Sequence, residues 1–127
     1  MIMRLSHIGH VVRSIRETEL VYQRLFNLNA TRRNSIPEAG VNNAFIPCGD
    51  NLIELLEPSD SNSILYKYLE RKGEGLYHIS LVTDDIEAEA NALKGKGVQI
   101  IEEKPCTNLP FKRIWVTPRS ARGVLME

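Results

Sequence analysis

Ser6-His7-Ile8-Gly9-His10-Val11-Val12-Arg13-Ser14-Ile15 returns later in the chain as Tyr77-His78-Ile79-Ser80-Leu81-Val82-Thr83-Asp84-Asp85-Ile86. His7, Ile8, Val11 and Ile15 fall on His78, Ile79, Val82 and Ile86 at one constant offset of 71 residues. The first copy closes on Leu52-Ile53-Glu54 and the second on Leu125-Met126-Glu127, an offset of 73, so only two residues of slippage separate the copies. A duplicated unit with a histidine near its start and a glutamate near its end supplies two imidazoles and two carboxylates. If the copies fold about a pseudo-two-fold axis, His7, Glu54, His78 and Glu127 converge, and a shared metal site is the reading that follows.

Each copy reads β-α-β-β-β. In the first, residues about 5–12 alternate as a strand, with Leu5, His7 and Gly9 on one face and Ile8, His10 and Val12 on the other. A helix follows, opened by a Ser14/Glu17 capping box and carrying Ile15, Thr18, Val21, Tyr22 and Leu25 at helical spacing, up to Asn27–Asn29. Strands fit about 29–33, 41–47 and 52–57, with turns at Glu38-Ala39-Gly40 and Cys48-Gly49-Asp50-Asn51. The second copy predicts a strand at about 76–82, a helix at about 85–96 opened by Asp84 and Asp85, and strands at about 98–103, 111–117 and 123–127. The fold class is α+β: two βαβββ modules forming one domain, with a curved mixed sheet enclosing a metal cup. The boundaries are module 1 at about 4–58, a linking helix within about 60–74, and module 2 at about 75–127, all in a single domain 1–127.

At 127 residues the chain is one ordinary domain, and copies of about 60 residues would each bury too little alone. Sixteen basic residues balance sixteen acidic ones, so no global field draws the chain to nucleic acid or to an anionic membrane. No apolar run approaches the ~20 residues of a membrane span, and no signal-peptide pattern opens the chain. Cys48 and Cys106 form no Cys-x-x-Cys pair, which makes a reducing cytoplasm the expected compartment and both thiols inert.

Strand parity defines the candidate site. Glu54 shares a face with Leu52 and Leu56, and His78 with Leu76 and Ser80. Two imidazoles and two carboxylates suit a borderline divalent ion such as zinc, cobalt, manganese, nickel or iron, whereas calcium wants oxygen ligands alone. The competing reading is bland. A lone strand histidine is more often packed than ligating, and Glu54 could face solvent on an edge strand. A carboxylate set between leucines on a cup face is costly unless paired. By parity His10 points to the opposite face, toward the helix or an interface, and Glu57 is not a ligand. Lys104, Lys112, Arg113, Arg119 and Arg122 read as a solvated basic face, and Phe111 and Trp115 as core.

These residues resemble the vicinal oxygen chelate superfamily, which includes the glyoxalases, and within it the methylmalonyl-CoA epimerases. The resemblance runs through His7-Ile8-Gly9, Ile53-Glu54-Leu55-Leu56-Glu57-Pro58, Leu69-Glu70-Arg71-Lys72-Gly73-Glu74-Gly75-Leu76-Tyr77-His78-Ile79, Pro118-Arg119-Ser120 and Gly123-Val124-Leu125-Met126-Glu127. It covers nearly the whole chain. It implies metal ligands at His7, Glu54, His78 and Glu127, and one divalent ion, cobalt, manganese, zinc or nickel. It also implies a small-molecule thioester of coenzyme A as substrate, reversible inversion at the carbon between two carbonyls, and a homodimer. Glu127 is the catalytic group it implies for proton abstraction, with Asn43, Lys112, Arg113 and Arg119 as substrate-binding positions, the basic ones near the mouth for CoA phosphates. Three departures stand out: Asn43 where mapped relatives carry a second carboxylate base, Cys106-Thr107-Asn108-Leu109-Pro110-Phe111 in place of a Gly-rich loop, and Tyr77 where a histidine often precedes the ligand. The competing functions are a glyoxalase I-like isomerase, a metal-free small-molecule binding module, and an Fe(II) dioxygenase, the last disfavoured because Glu54 would fill an open position.

Overall fold

The computed structural model describes residues 1–127. The elements follow the doubled order: β1 (Ile2–Val11), α1 (Ile15–Phe26), β2 (Arg32–Ile36), β3 (Val41–Cys48), β4 (Asn51–Pro58), α2 (Ile64–Lys72), β5 (Gly75–Thr83), α3 (Ile86–Gly95), β6 (Ile100–Glu103), β7 (Arg113–Val116) and β8 (Leu125–Met126). Each helix opens on a side chain that satisfies an orphan N–H. The Ser14 hydroxyl accepts from Glu17 N at 3.2 Å, Ser63 from Tyr66 N at 3.0 Å, and Asp85 from Ala88 N at 2.9 Å. Glu57, off the cup face, accepts from Ile15 N at 2.7 Å and docks the start of α1 on the sheet.

All eight strands form one sheet in the order β2-β3-β4-β1-β5-β8-β7-β6. Read outward from the centre, each half repeats first-fourth-third-second strand, the signature of the duplication. β1 and β5 pair antiparallel at the middle, β4 lies parallel to β1, and β8 parallel to β5. Alternation then gives one concave face to His7, Gly9, Asn43, Phe45, Glu54, His78 and Ser80. The convex face carries Ala44, Ile46 and Leu55, which pack with Val12 and Ile15 under α1. Toward one end of the concave face, α2 lays Leu65 and Leu69 on Val11, Val41 and Leu56 and closes that end. No helix is long and apolar enough to cross a membrane.

Several boundaries differ from expectation. β2 covers Arg32–Ile36 rather than 29–33, because its pairing with β3 is counted back from the turn at Pro37–Ala39, which puts Ile36 opposite Val41 and Arg32 opposite Phe45. β1 begins at Ile2, earlier than its alternation suggests, because β5 continues alongside it to Thr83. The last three strands are shorter than expected, since residues 117–123 turn before β8 and leave it two ladder residues. Phe111, expected in the core, is 55% exposed on the rim; a tight reversal bridged between Cys106 and Leu109 ends just before it.

Candidate metal site and its cup

Three donor atoms meet on the floor of an open cup of about 1680 Å³. His7 Nε2 and His78 Nε2 stand 3.0 Å apart, and Glu54 Oε1 lies 3.3 Å from the first and 3.4 Å from the second. Donors about 2.1 Å from one ion stand about 3.0 Å apart at a right angle and about 3.4 Å at the tetrahedral angle. The triangle therefore has the dimensions of half a coordination shell. His7, Glu54 and His78 form a candidate metal-binding site. Two imidazoles and a carboxylate fit a borderline divalent ion.

The sheet register explains how residues so far apart in sequence meet. Arg32, Phe45, Glu54, Gly9 and His78 are successive cross-strand partners, one residue from each of β2, β3, β4, β1 and β5. Glu54 and His78 reach each other across β1, over the α-carbon of Gly9. A β-carbon built there would lie 2.3 Å from His78 Nδ1 and 2.4 Å from its Cε1, so the glycine is the gap through which the ligand ring fits. His7 sits beside this row, next to Ser80 on β5 and Leu52 on β4.

Supporting contacts orient the donors. Asn43, buried at 2% exposure, donates its amide to Glu54 Oε2 at 2.8 Å, so the other oxygen, Oε1, faces the imidazoles. The Ser6 hydroxyl lies 3.0 Å from His7 Nδ1. Glu127 stands at the edge of the triangle: its Oε1 is 3.6 Å from His7 Nε2 and accepts from the Ser80 hydroxyl at 2.6 Å. Arg113 closes this side, with Nη2 2.6 Å from Glu103 and Nη1 3.9 Å from Glu127. Trp115, half-buried, meets His78 edge to face at a centroid separation of 5.2 Å.

Electrostatics divide the groups. Burial pushes the His78 pKa down to about 4, so this imidazole is neutral at ordinary pH. Burial works against charge on His7 too, but the bonded Glu54 carboxylate and nearby Glu127 outweigh it and raise its pKa. Glu54 is held below the usual carboxylate range: desolvation opposes its ionisation, and the His7 hydrogen bond and charge overcome that. Glu127 is raised, chiefly by burial, with Ser80 pulling the other way. Without metal, the pairing with Glu54 thus favours the protonated form of His7.

The remaining sequence candidates lie in different places. Lys112 Nζ is 2.8 Å from both Glu87 and Glu102, engaged toward α3 and β6. Arg119 is exposed and lies outside the cup wall, whereas Arg113 is inside it. Asn43 touches Glu54 beneath the floor. His10 bonds Tyr22 of α1 at 2.9 Å on the convex side, as its parity predicted. The loop at Cys106–Leu109 reaches the other module: Thr107 donates its N–H and hydroxyl to Glu38 Oε1 at 3.1 and 2.6 Å, and Asn108 donates to the Ser35 carbonyl at 2.6 Å. These bonds tie the two outer edges of the sheet together over the cup. Sequence reasoning missed Arg32, Ser80 and the reason for Gly9. An interior-strand glycine is a recognisable signal of close approach, but its partner cannot be named without the register.

Residues 6–108 match the Glyoxalase/Bleomycin resistance protein/Dioxygenase superfamily. The chain belongs to that superfamily. It is 34% identical over 125 residues to the uncharacterized protein YqjC of Bacillus subtilis, covering 98% of this chain and 89% of the relative. It is 28% identical over 126 residues to the human mitochondrial methylmalonyl-CoA epimerase, covering 98% and 72%. A variant of the Streptomyces coelicolor methylmalonyl-CoA epimerase, solved in complex with 2-nitronate-propionyl-CoA, superposes with a TM-score of 0.88 at 27% identity, covering 99% of this chain and 92% of that one. The α+β class and the eight-stranded curved mixed sheet expected from the duplication are those of this epimerase fold.

Proposed function

We propose that the protein is a metal-dependent epimerase that removes and returns an α-proton of methylmalonyl-CoA or a similar acyl-CoA thioester. One observation carries this reading: a half-buried carboxylate, Glu127, stands beside a metal-sized triangle of His7, Glu54 and His78. Similarity to methylmalonyl-CoA epimerases along the whole chain supports the same reaction class. A divalent cation in the triangle would act as a Lewis acid on the thioester oxygen, with Glu127 completing its ligands.

The chain's own groups do the rest. Glu127 takes the α-proton from one face of the carbon, and a proton delivered from water to the opposite face of the planar enolate inverts it. In the metal-free fold, burial holds the Glu127 pKa above the ordinary carboxylate value and so favours proton uptake. The Ser80 hydroxyl fixes the orientation of that carboxylate. Arg113 balances its charge from the other side. Asn43 keeps Glu54 turned toward the imidazoles and cannot itself accept a proton at ordinary pH. We extend the proposal to a homodimer: α1 leaves Leu20, Leu25 and Phe26 exposed at 62, 55 and 63%, apolar side chains that a monomer would present to water.

The test is solvent deuterium exchange at the α-carbon of methylmalonyl-CoA by cobalt-, manganese-, zinc- and nickel-loaded protein. Exchange that disappears on chelation supports the reading. Purified protein with no affinity for any of these ions refutes it. Turnover of the methylglyoxal–glutathione hemithioacetal without thioester exchange would replace it with a glyoxalase I-like reaction.

A further inference from the structure

We propose that Arg32 recognises the free carboxylate of the acyl group, and so sets a preference for malonyl-type over simple acyl thioesters; this rests on the acyl-CoA reading above. Arg32 is the outermost member of the cross-strand row that contains Glu54 and His78, so its side chain shares their face of the sheet. Its guanidinium carbon stands 4.4 Å over the Phe45 ring, and that ring meets His7 edge to face at a centroid separation of 5.8 Å. Together these separations keep the guanidinium within about 10 Å of the His7 ring.

Arg4, opposite Val82 on β5, and Lys104, just after β6, also line the cup without an acid partner, but neither belongs to the cross-strand row of the site; the remaining cations nearby are engaged. Arg33 turns to Glu19 at 2.7 Å, Arg113 to Glu103 and Glu127, and Lys112 to Glu87 and Glu102. Arg32 has no acid partner; stacking on Phe45 holds its plane and leaves its N–H edge free. That edge is a fork matched to a carboxylate. The distance selects which anion. A thioester carbonyl on the floor places the second carboxylate of a malonyl-type acyl group within a few bonds of the triangle. The CoA phosphates lie at the far end of the long pantetheine arm, beyond this range.

The test separates acyl-group recognition from catalysis with two unreactive probes. Dimethylmalonyl-CoA carries the carboxylate but no α-proton; isobutyryl-CoA lacks the carboxylate. Calorimetry on cobalt-loaded protein should show Arg32→Met raising the Kd for dimethylmalonyl-CoA about 10- to 100-fold while isobutyryl-CoA stays within about twofold. Arg32→Lys should recover part of the loss, since it keeps the charge without the fork. Equal effects on both thioesters, including no effect on either, overturn the assignment. Wild-type exchange of methylmalonyl-CoA measured alongside keeps the two claims apart. An active wild type with an indifferent Arg32→Met removes only the role of Arg32; a wild type that neither exchanges nor binds the thioesters removes the acyl-CoA reading and this inference with it.

Discussion

Replacing Gly9 by alanine tests the geometry of the site with a single methyl group. The new carbon would stand 2.3 Å from His78 Nδ1, 2.4 Å from Cε1 and 3.0 Å from Cγ. Ordinary contacts begin at about 3.5 Å, so the ring or the strand must retreat by about 1 Å. The ring is held between β1 and the Trp115 and Tyr77 rings, with centroids at 5.2 and 5.7 Å, so it has little room to move without turning Nε2 away from the triangle. Metal–ligand bonds tolerate about 0.2 Å. Losing one of the ligands exceeds the 10- to 100-fold cost of a supporting contact, so affinity for cobalt or zinc should fall by about 100-fold or more. Overpacking should cost about 1–3 kcal/mol of metal-free stability. Isothermal titration with cobalt, and thermal melting in chelator, measure the two effects. Gly95→Ala is the control: no atom crowds that position near the end of α3, so metal affinity should stay at the wild-type value. A Gly9→Ala protein that binds cobalt within about threefold of wild type would refute the claim that His78 needs this gap.

Glu127→Gln should abolish α-proton exchange, whereas Glu54→Gln should only weaken it because its side-chain oxygen can still ligate; equal, near-wild-type rates in both would contradict the assigned roles. Ser80→Ala removes the 2.6 Å bond that pulls the Glu127 pKa down, so the acid limb of the pH–rate profile should move to higher pH; an unmoved limb would disconnect Ser80 from the base. His7 has a raised pKa in the metal-free fold, so below that pKa a metal must displace its proton. Metal affinity should therefore fall as pH falls through this range, with proton release visible by calorimetry in buffers of different ionisation enthalpy; pH-independent binding would contradict the paired state of His7 and Glu54. Wild type should sediment as a dimer and Phe26→Glu as a monomer with its metal site intact; a monomeric wild type at micromolar concentration would rule out α1 as an interface.

Much of the fold was legible because helical periodicity, caps and strand alternation are local. Ser14 and Asp85 announce their helices within a few residues of themselves. The repeat of His7 in His78 is visible without any knowledge of the partner strand. The ends of β2, β6, β7 and β8 were not legible in the same way, because a strand stops where its neighbour stops pairing. Phe111 illustrates the limit. Its hydrophobicity favours burial, but the reversal at Cys106–Leu109 decides that it stays on the rim.

The amino-acid order alone therefore determined the doubled β-α-β-β-β architecture and nominated His7, Glu54, His78 and Glu127, since a repeat and its residue types are properties of one dimension. Only the tertiary structure decided that three of these close into a triangle with Glu127 at its edge, that Arg113 rather than Arg119 lines the cup, and that Gly9 must have no side chain. Those facts depend on which residues face each other across β1, β4 and β5, and cross-strand register is set by long-range pairing that no local pattern encodes.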